Sequence, residues 1–385
     1  MRADLSAGGH VTAQDCVLRA EDLELLIQAI RARGHQVIGP TVKDGAITYG
    51  EIHTSADLPQ GWSDQQEKGH YRLVRNDTPA YFAYAVGAGA WKQFLQLPRR
   101  QVWQARQSDG DLNFVEVIDV APRVAFLGVR SCELHAIEIQ DRVFSGGSFQ
   151  NESYSERRDN ALLIAVNCTA PAATCFCTAM NTGPRVTLPA DLTMTEVIGA
   201  DEHYFLIGSG SQQGRDILGD LPLAPATEAQ RNAEESAVRG AAQKMESGPR
   251  QFNSADVKDL LYRNYDSPLW EQVADRCLSC ANCTMACPTC FCSTVEDSTD
   301  LSGEHAERWE RWDSCFTGEF SYISGGSVRP DTKSRYRQWM THKLATWHDQ
   351  FGTSGCVGCG RCITWCPVGI DFTEEIHTLR EMEKP

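Results

Sequence analysis

Two cysteine runs constrain this chain more than anything else in it. The first, "CLSCANCTMACPTCFC", packs six cysteines between Cys277 and Cys292. Its leading four, Cys277, Cys280, Cys283 and Cys287, follow C-x2-C-x2-C-x3-C, and Pro288 comes next. The second run, "CVGCGRCITWCP", repeats the spacing with Cys356, Cys359, Cys362, Cys366 and Pro367. Thiols this dense point to a disulfide scaffold, zinc knuckles or iron–sulfur centres. The opening stretch, "MRADLSAGGHVTAQDC", has neither a basic nor an apolar leader region, and no apolar run approaches the roughly 20 residues of a membrane span. The chain therefore reads as cytoplasmic, where thiols stay reduced and sixteen cysteines are better used as metal ligands than as disulfides.

The spacing separates the two remaining choices. Structural zinc uses two cysteine pairs separated by a longer spacer. Two four-cysteine runs, each closing on Cys-Pro, instead have the spacing of a bacterial two-cluster ferredoxin, in which the fourth cysteine of each run ligates the other cluster. A short loop wraps three corners of a cubane, and the cysteine beside proline leaves it in the wrong direction. The expected 4Fe-4S ligand sets therefore cross. Cys277, Cys280 and Cys283 join Cys366, while Cys356, Cys359 and Cys362 join Cys287. Small loop residues (Ser279, Ala281, Gly358, Gly360) would let backbone N–H groups approach the sulfides.

The length of 385 residues suggests two to three domains, and a net charge of -15 excludes nucleic acid as a natural partner. Residues 224–252 are rich in Ala, Glu, Gln and Arg and read as an exposed connecting helix or linker. Before it, "EDLELLIQAIRARG" has helical periodicity, "RVAFLGV" and "ALLIAVN" read as buried strands, and "CELHAIEIQDRVF" between them reads as a helix. The expected class is α+β. An α/β domain (1–223) precedes a mostly helical two-cluster ferredoxin-like domain (253–385) with a long insert (288–355). Two short helices are expected just before Cys277, the first capped by Ser254.

The other cysteines fall into groups. Cys132 follows one predicted strand and Cys168, Cys175 and Cys177 follow the next. Loops at the carboxyl ends of parallel strands converge on one crevice. A third 4Fe-4S cluster at these four residues is the expectation, with packed thiols as the alternative. Cys132 would sit at a helix N-terminus, which favours a thiolate. Cys290, Cys292 and Cys315 lie in the insert and read equally well as buried small residues or as ligands short of a partner. The basic, aromatic stretch "RPDTKSRYRQWMTHKLATWHDQ" reads as an amphipathic helix with Trp and Leu around a cluster and Arg and Lys in solvent.

Together "FLGVRSCELHAI", "NCTAPAATCFCTAMNTGP", "CLSCANCTMACPTCFC", "WDSCF" and "CVGCGRCITWCPVGID" resemble the 4Fe-4S dicluster electron-transfer subunits, from about residue 80 onward. That family includes beta subunits of NiFe sulfhydrogenases and the corresponding iron–sulfur subunits of anaerobic sulfite reductases. The resemblance implies a non-catalytic electron conduit in a multi-subunit oxidoreductase. It would link a NiFe hydrogenase, with its small and large subunits, to a flavin subunit binding NAD(P)H or to a sulfur-reducing site. The alternative is service to a sirohaem sulfite reductase subunit. Two departures stand out: Glu133 where Asp is frequent, and Ser327 and Val328 where a His-Asn pair is frequent. Two other readings are direct reduction of sulfur at Cys16, Cys290, Cys292 or Cys315, and clusters that serve only to hold the fold.

Overall fold

The computed structural model describes residues 14–384 apart from 86, 109, 110 and 118. The opening stretch read above as leaderless lies, up to residue 13, outside the described residues.

The first half lays down most of the strands. They are β1 (Cys16–Arg19), β2 (Gln36–Lys43), β3 (Ala46–Glu51), β4 (Trp62–Glu67), β5 (His70–Arg75), β6 (Arg99–Ser108), β7 (Asp111–Glu116), β8 (Val124–Val129), β9 (Ala161–Val166), β10 (Leu192–Ile198), β11 (His203–Ser209) and β12 (Ala224–Pro225). Eight of them form one mixed sheet in the order β12-β1-β11-β10-β9-β8-β2-β3. Its centre is parallel, from β10 through β9 and β8 to β2. The runs chosen from sequence occupy that centre. Every residue of β8 is buried, as expected of a strand covered on both faces. Alternate residues point to opposite layers. Leu127 and Ile164 pack under the helix Leu23–Ala32, while Phe126 and Leu163 pack with Ile137 and Tyr154 from two later helices. The helix Ser131–Phe144 leaves β8 directly, and the loop after β9 opens beside it. Cys132 and the group from Cys168 to Cys177 are thereby brought to one end of the sheet.

Two expectations need correcting. The second half is not simply helical. In the insert, β13 (Ser293–Thr299) and β14 (His305–Trp312) form a hairpin that pairs with β6 and β7 in a four-stranded antiparallel sheet. Charged residues masked these strands in the sequence. Cross-strand charge pairs such as Arg308–Asp297, Arg311–Glu296 and Arg100–Glu310 alternate there with aromatic contacts such as Trp103–Phe114 and Arg308 over Trp103. A short ladder of β15 (Tyr322–Ile323) and β16 (Gly326–Ser327) follows. The insert is thus laced to the first half of the chain.

The connecting segment is a helix, Glu228–Glu246, but not an exposed tether. Glu234, Val238, Ala241 and Met245 form a buried stripe at helical spacing. Glu234 pairs with Arg185 at 2.9 Å and accepts from Thr195 Oγ1 at 3.1 Å. Its composition looked solvated because so narrow a stripe is buried.

Four further helices (Val257–Arg263, Leu269–Ala274, Thr332–Thr341 and Phe372–Met382) enclose a second core built on Trp270, Trp339, Phe372 and Ile376. Asp256, not Ser254, holds the cap position of the first; Ser254 Oγ donates instead to the Ala179 carbonyl at 3.0 Å. Among the described residues no helix is long and apolar enough to cross a membrane.

Candidate metal centres

The first motif wraps a cavity. Ser279 and Ala281 take left-handed backbone conformations (φ 50° and 66°), which turn the loop tightly enough to set Cys277, Cys280 and Cys283 around one hollow. Cys366, distant in sequence, lines the same hollow, along with Phe316, Tyr336, Trp339, Ile370 and Phe372. The backbone N–H of Ser279 donates to Cys277 Sγ at 3.4 Å, and that of Ile370 to Cys366 Sγ at 3.3 Å. Two buried donors on the wall, Tyr336 OH and Trp339 Nε1, have no partner within the chain. Unpaired buried donors are costly, so the wall suits an occupant rich in acceptors, as cluster sulfides are. Burial raises the Cys277 thiol and carries Cys283 well above its ordinary range. Apolar walls of this kind hold thiols neutral until a metal ion displaces the proton.

The second motif is more enclosed. Gly358 N donates to Cys356 Sγ at 3.4 Å. Cys287 Sγ accepts from Thr289 N at 3.4 Å and from the buried Lys343 Nζ at 3.1 Å. Lys343 also donates to Gly355 O (2.7 Å) and Thr289 Oγ1 (2.8 Å), tying the start of the second motif to the end of the first. Hydrogen bonding from Cys290, with help from the Lys343 ammonium, holds the Cys287 thiol well below its ordinary range. Cys356 is pushed up to about 12 by burial, partly offset by Lys343. Lys343 belongs to the basic stretch expected to face solvent. It points inward instead, because a buried anionic site needs a cation.

The middle group forms a third hollow. Cys132, Cys168, Cys175 and Cys177 line it together with Arg130, Ser131, Pro171, Gly183, Met245 and Cys359. Met245 Sδ lies 3.6 Å from Cys177 Sγ. Arg130 Nε and Ser131 Oγ are buried donors without partners, so this wall has the same unmet capacity as the first. The thiolate expected for Cys132 at its helix N-terminus is not what the free protein favours. Burial, then the neighbouring Cys177 and Cys359 thiols, push it well above the ordinary range. The helix end is outweighed by desolvation.

The second motif lies against the third hollow, and its glycines make that possible. A side chain at Gly358 would come within 2.7 Å of the Cys177 backbone, and one at Gly360 within 2.5 Å of Thr174 O. Phe176 N donates to Gly358 O at 2.9 Å and Thr182 Oγ1 to Val357 O at 2.7 Å. These glycines thus serve loop-on-loop packing as well as the tight turns.

Cys290, Cys292 and Cys315 sit at the base of the β13–β14 hairpin and line none of these hollows. The thiol of Cys290 donates to Cys287, and that of Cys315 to Cys292. Cys16 lies on β1, paired with Ile207 and Pro225. Among the described residues, no three His, Cys, Asp or Glu side chains converge on a single-ion site. A mononuclear metal needs its ligands about 2 Å from one point, whereas a cubane spreads four thiolates over its corners.

The geometry defines an iron–sulfur protein with two ferredoxin-type cysteine motifs. Residues 276–370 match the 4Fe-4S dicluster domain family. Over 298 residues, spanning 75% of this chain and 82% of the relative, it is 29% identical to sulfhydrogenase 2 subunit beta of Pyrococcus furiosus. No solved structure matches the chain.

Proposed function

We propose that this chain is the iron–sulfur electron-transfer subunit of a multi-subunit, cytoplasmic oxidoreductase of the hydrogenase type. It would carry electrons between a NiFe hydrogenase, with its small and large subunits, and a flavin subunit binding NAD(P)H or a sulfur-reducing site. Cys277, Cys280, Cys283 and Cys366 hold one 4Fe-4S cluster, and Cys356, Cys359, Cys362 and Cys287 a second. Cys132, Cys168, Cys175 and Cys177 hold a third. When bound, such clusters accept and release single electrons. The protein supplies thiolates, hydrogen bonds to sulfur and a dry wall, which together set the potentials.

The observation that carries this reading is the position of the second motif. Cys362 lines the first hollow and Cys359 the third, so the three cysteine sets form one contiguous series. That is the arrangement a relay needs. The sulfite reductase alternative is not favoured, since the Pyrococcus relative is a sulfhydrogenase subunit.

The test is to purify the native complex without oxygen through a tag on this chain. Nickel in the preparation, with hydrogen-dependent reduction of NADP, is the expected result. A sirohaem spectrum without nickel would overturn the hydrogenase assignment.

A further inference from the structure

One buried ion pair joins two of the cysteine loops. Arg361 stands inside the second motif, between Cys359 and Cys362. Glu133 immediately follows Cys132 of the third set. Arg361 Nη2 lies 2.5 Å from Glu133 Oε1, and the side chains are 0% and 1% exposed. Each partner is fixed from its own side. Arg361 Nε donates to Gly87 O at 2.8 Å, and Nη2 also reaches Gly89 O at 3.0 Å. Glu133 accepts from Tyr49 OH at 2.9 Å, Trp91 Nε1 at 3.0 Å and Arg130 N at 3.2 Å. Arg361 Nη1 is buried and has no partner.

A buried pair of this kind is an expensive way to hold two loops together. Removing its ions from water costs several kcal/mol each, and well-packed apolar residues often serve stability better. The second motif is already fastened to the other loop of the third set, the one bearing Cys175 and Cys177, by the Phe176–Gly358 and Thr182–Val357 bonds and by Thr174 Oγ1 to Thr364 Oγ1 at 2.8 Å. What apolar residues cannot supply is an oriented charge. The positive end belongs to the loop of Cys359 and Cys362, and the negative end to the loop of Cys132. In a dry interior the field of such a pair is weakly screened.

We propose that the Arg361–Glu133 pair is an electrostatic ratchet between the second and third clusters. It raises the potential of the cluster on Cys287, Cys356, Cys359 and Cys362 and lowers that of the cluster on Cys132, Cys168, Cys175 and Cys177. One electron then passes downhill from the third cluster to the second, with no bond made or broken. Both residues are positioning residues. The inference rests on the third cluster of the proposed function.

The test is an anaerobic redox titration of the full chain in its native complex, followed by electron paramagnetic resonance. A Cys132→Ser variant identifies the third cluster's signal. In the double variant Arg361→Gln/Glu133→Gln, which keeps hydrogen bonds and removes both charges, the gap between the two potentials narrows. At a fixed poise the relative reduction of the two clusters changes by tenfold or more, about 59 mV for a one-electron couple. Arg361→Lys keeps the charge but not the fork, and it preserves the gap. An unchanged gap in the double variant overturns the proposal. If the double variant does not load, Glu133→Gln decides: loss of the negative end raises the third cluster's potential, and an unmoved third potential overturns the proposal. About eight irons in the unmodified chain would remove the third cluster itself, which is a failure of the underlying reading rather than of the pair.

Discussion

The first and third cysteine sets are built alike and placed differently. Each lines a hollow with four thiols and two unpaired buried donors: Tyr336 and Trp339 at the first, Arg130 and Ser131 at the third. The first opens outward. Cys280 is exposed and the neighbouring Leu278 is 64% exposed. The third lies against the end of the main sheet and Met245 of the helix Glu228–Glu246, with Cys132 and Cys177 buried, Cys168 and Cys175 half-buried, and none of the four exposed. The donors differ as well. The first hollow carries neutral aromatic donors from one helix, Thr332–Thr341, and the third an arginine rooted between strand and helix. The difference suggests a division of labour. On the proposed function, the first set would be the terminal that exchanges electrons with a partner and the third a station set by the α/β layer.

The largest effect that can test this comparison comes from losing a crossed ligand. Cys366→Ser should abolish the cluster whose other ligands lie almost ninety residues earlier, and spectra should retain the cluster of Cys356, Cys359 and Cys362. Loss of only that second cluster would show the crossing to be wrong.

Removing iron altogether should divide the molecule along the same line. The main sheet has its own core on both faces, with Phe126, Leu127, Leu163 and Ile164 buried. The cysteine-bearing half packs its aromatic residues against thiols. Hydrogen exchange after chelation should therefore keep protection in β8 to β11 and lose it across the helices from Val257 onward. Uniform loss of protection would contradict separate cores.

A smaller effect concerns access. A hydrophilic oxidant such as ferricyanide should bleach the cluster at Cys280 at least severalfold faster than the one at Cys132. Equal rates would remove the distinction between terminal and station.

The smallest effect concerns tuning. Tyr336→Phe removes one O–H donor from the first wall. A hydrogen bond contributes a net of about 0.5–1.5 kcal/mol, so the first cluster should become harder to reduce by about threefold in the reduced-to-oxidised ratio. The third should not move. Redox titration reads both, and a shift in the third would mean the walls are not independent.

The sequence was most legible where chemistry demands a fixed spacing or a continuous apolar run. The two four-cysteine motifs could be recognised from spacing alone. The all-apolar runs of β8 and β9 located the crevice for Cys132, Cys168, Cys175 and Cys177. The hairpin β13–β14 was illegible because Arg, Asp and Glu interrupt its few aromatic residues and leave no continuous apolar run. Lys343 was misread because a lysine in a basic stretch carries no local sign of burial, and its reason for burial is a thiol, Cys287, more than fifty residues away. Arg361 was in plain view within "CGRC", yet its partner Glu133 lies in the other half of the chain and only the fold joins them. The glycines at 358 and 360 were noticed for their small size, but the surface they yield to, the backbone around Thr174 and Cys177, is a tertiary fact.

The most direct measurement is the content of iron and acid-labile sulfide in the anaerobically isolated complex, normalised to this chain after subtracting the partners' own centres. It should be taken beside the same complex carrying Cys132→Ser and Cys168→Ser. Three clusters give about twelve irons for the unmodified chain and about eight for the variant. About eight irons in both would contradict the central claim and leave a two-cluster ferredoxin module beside a pocket of packed thiols.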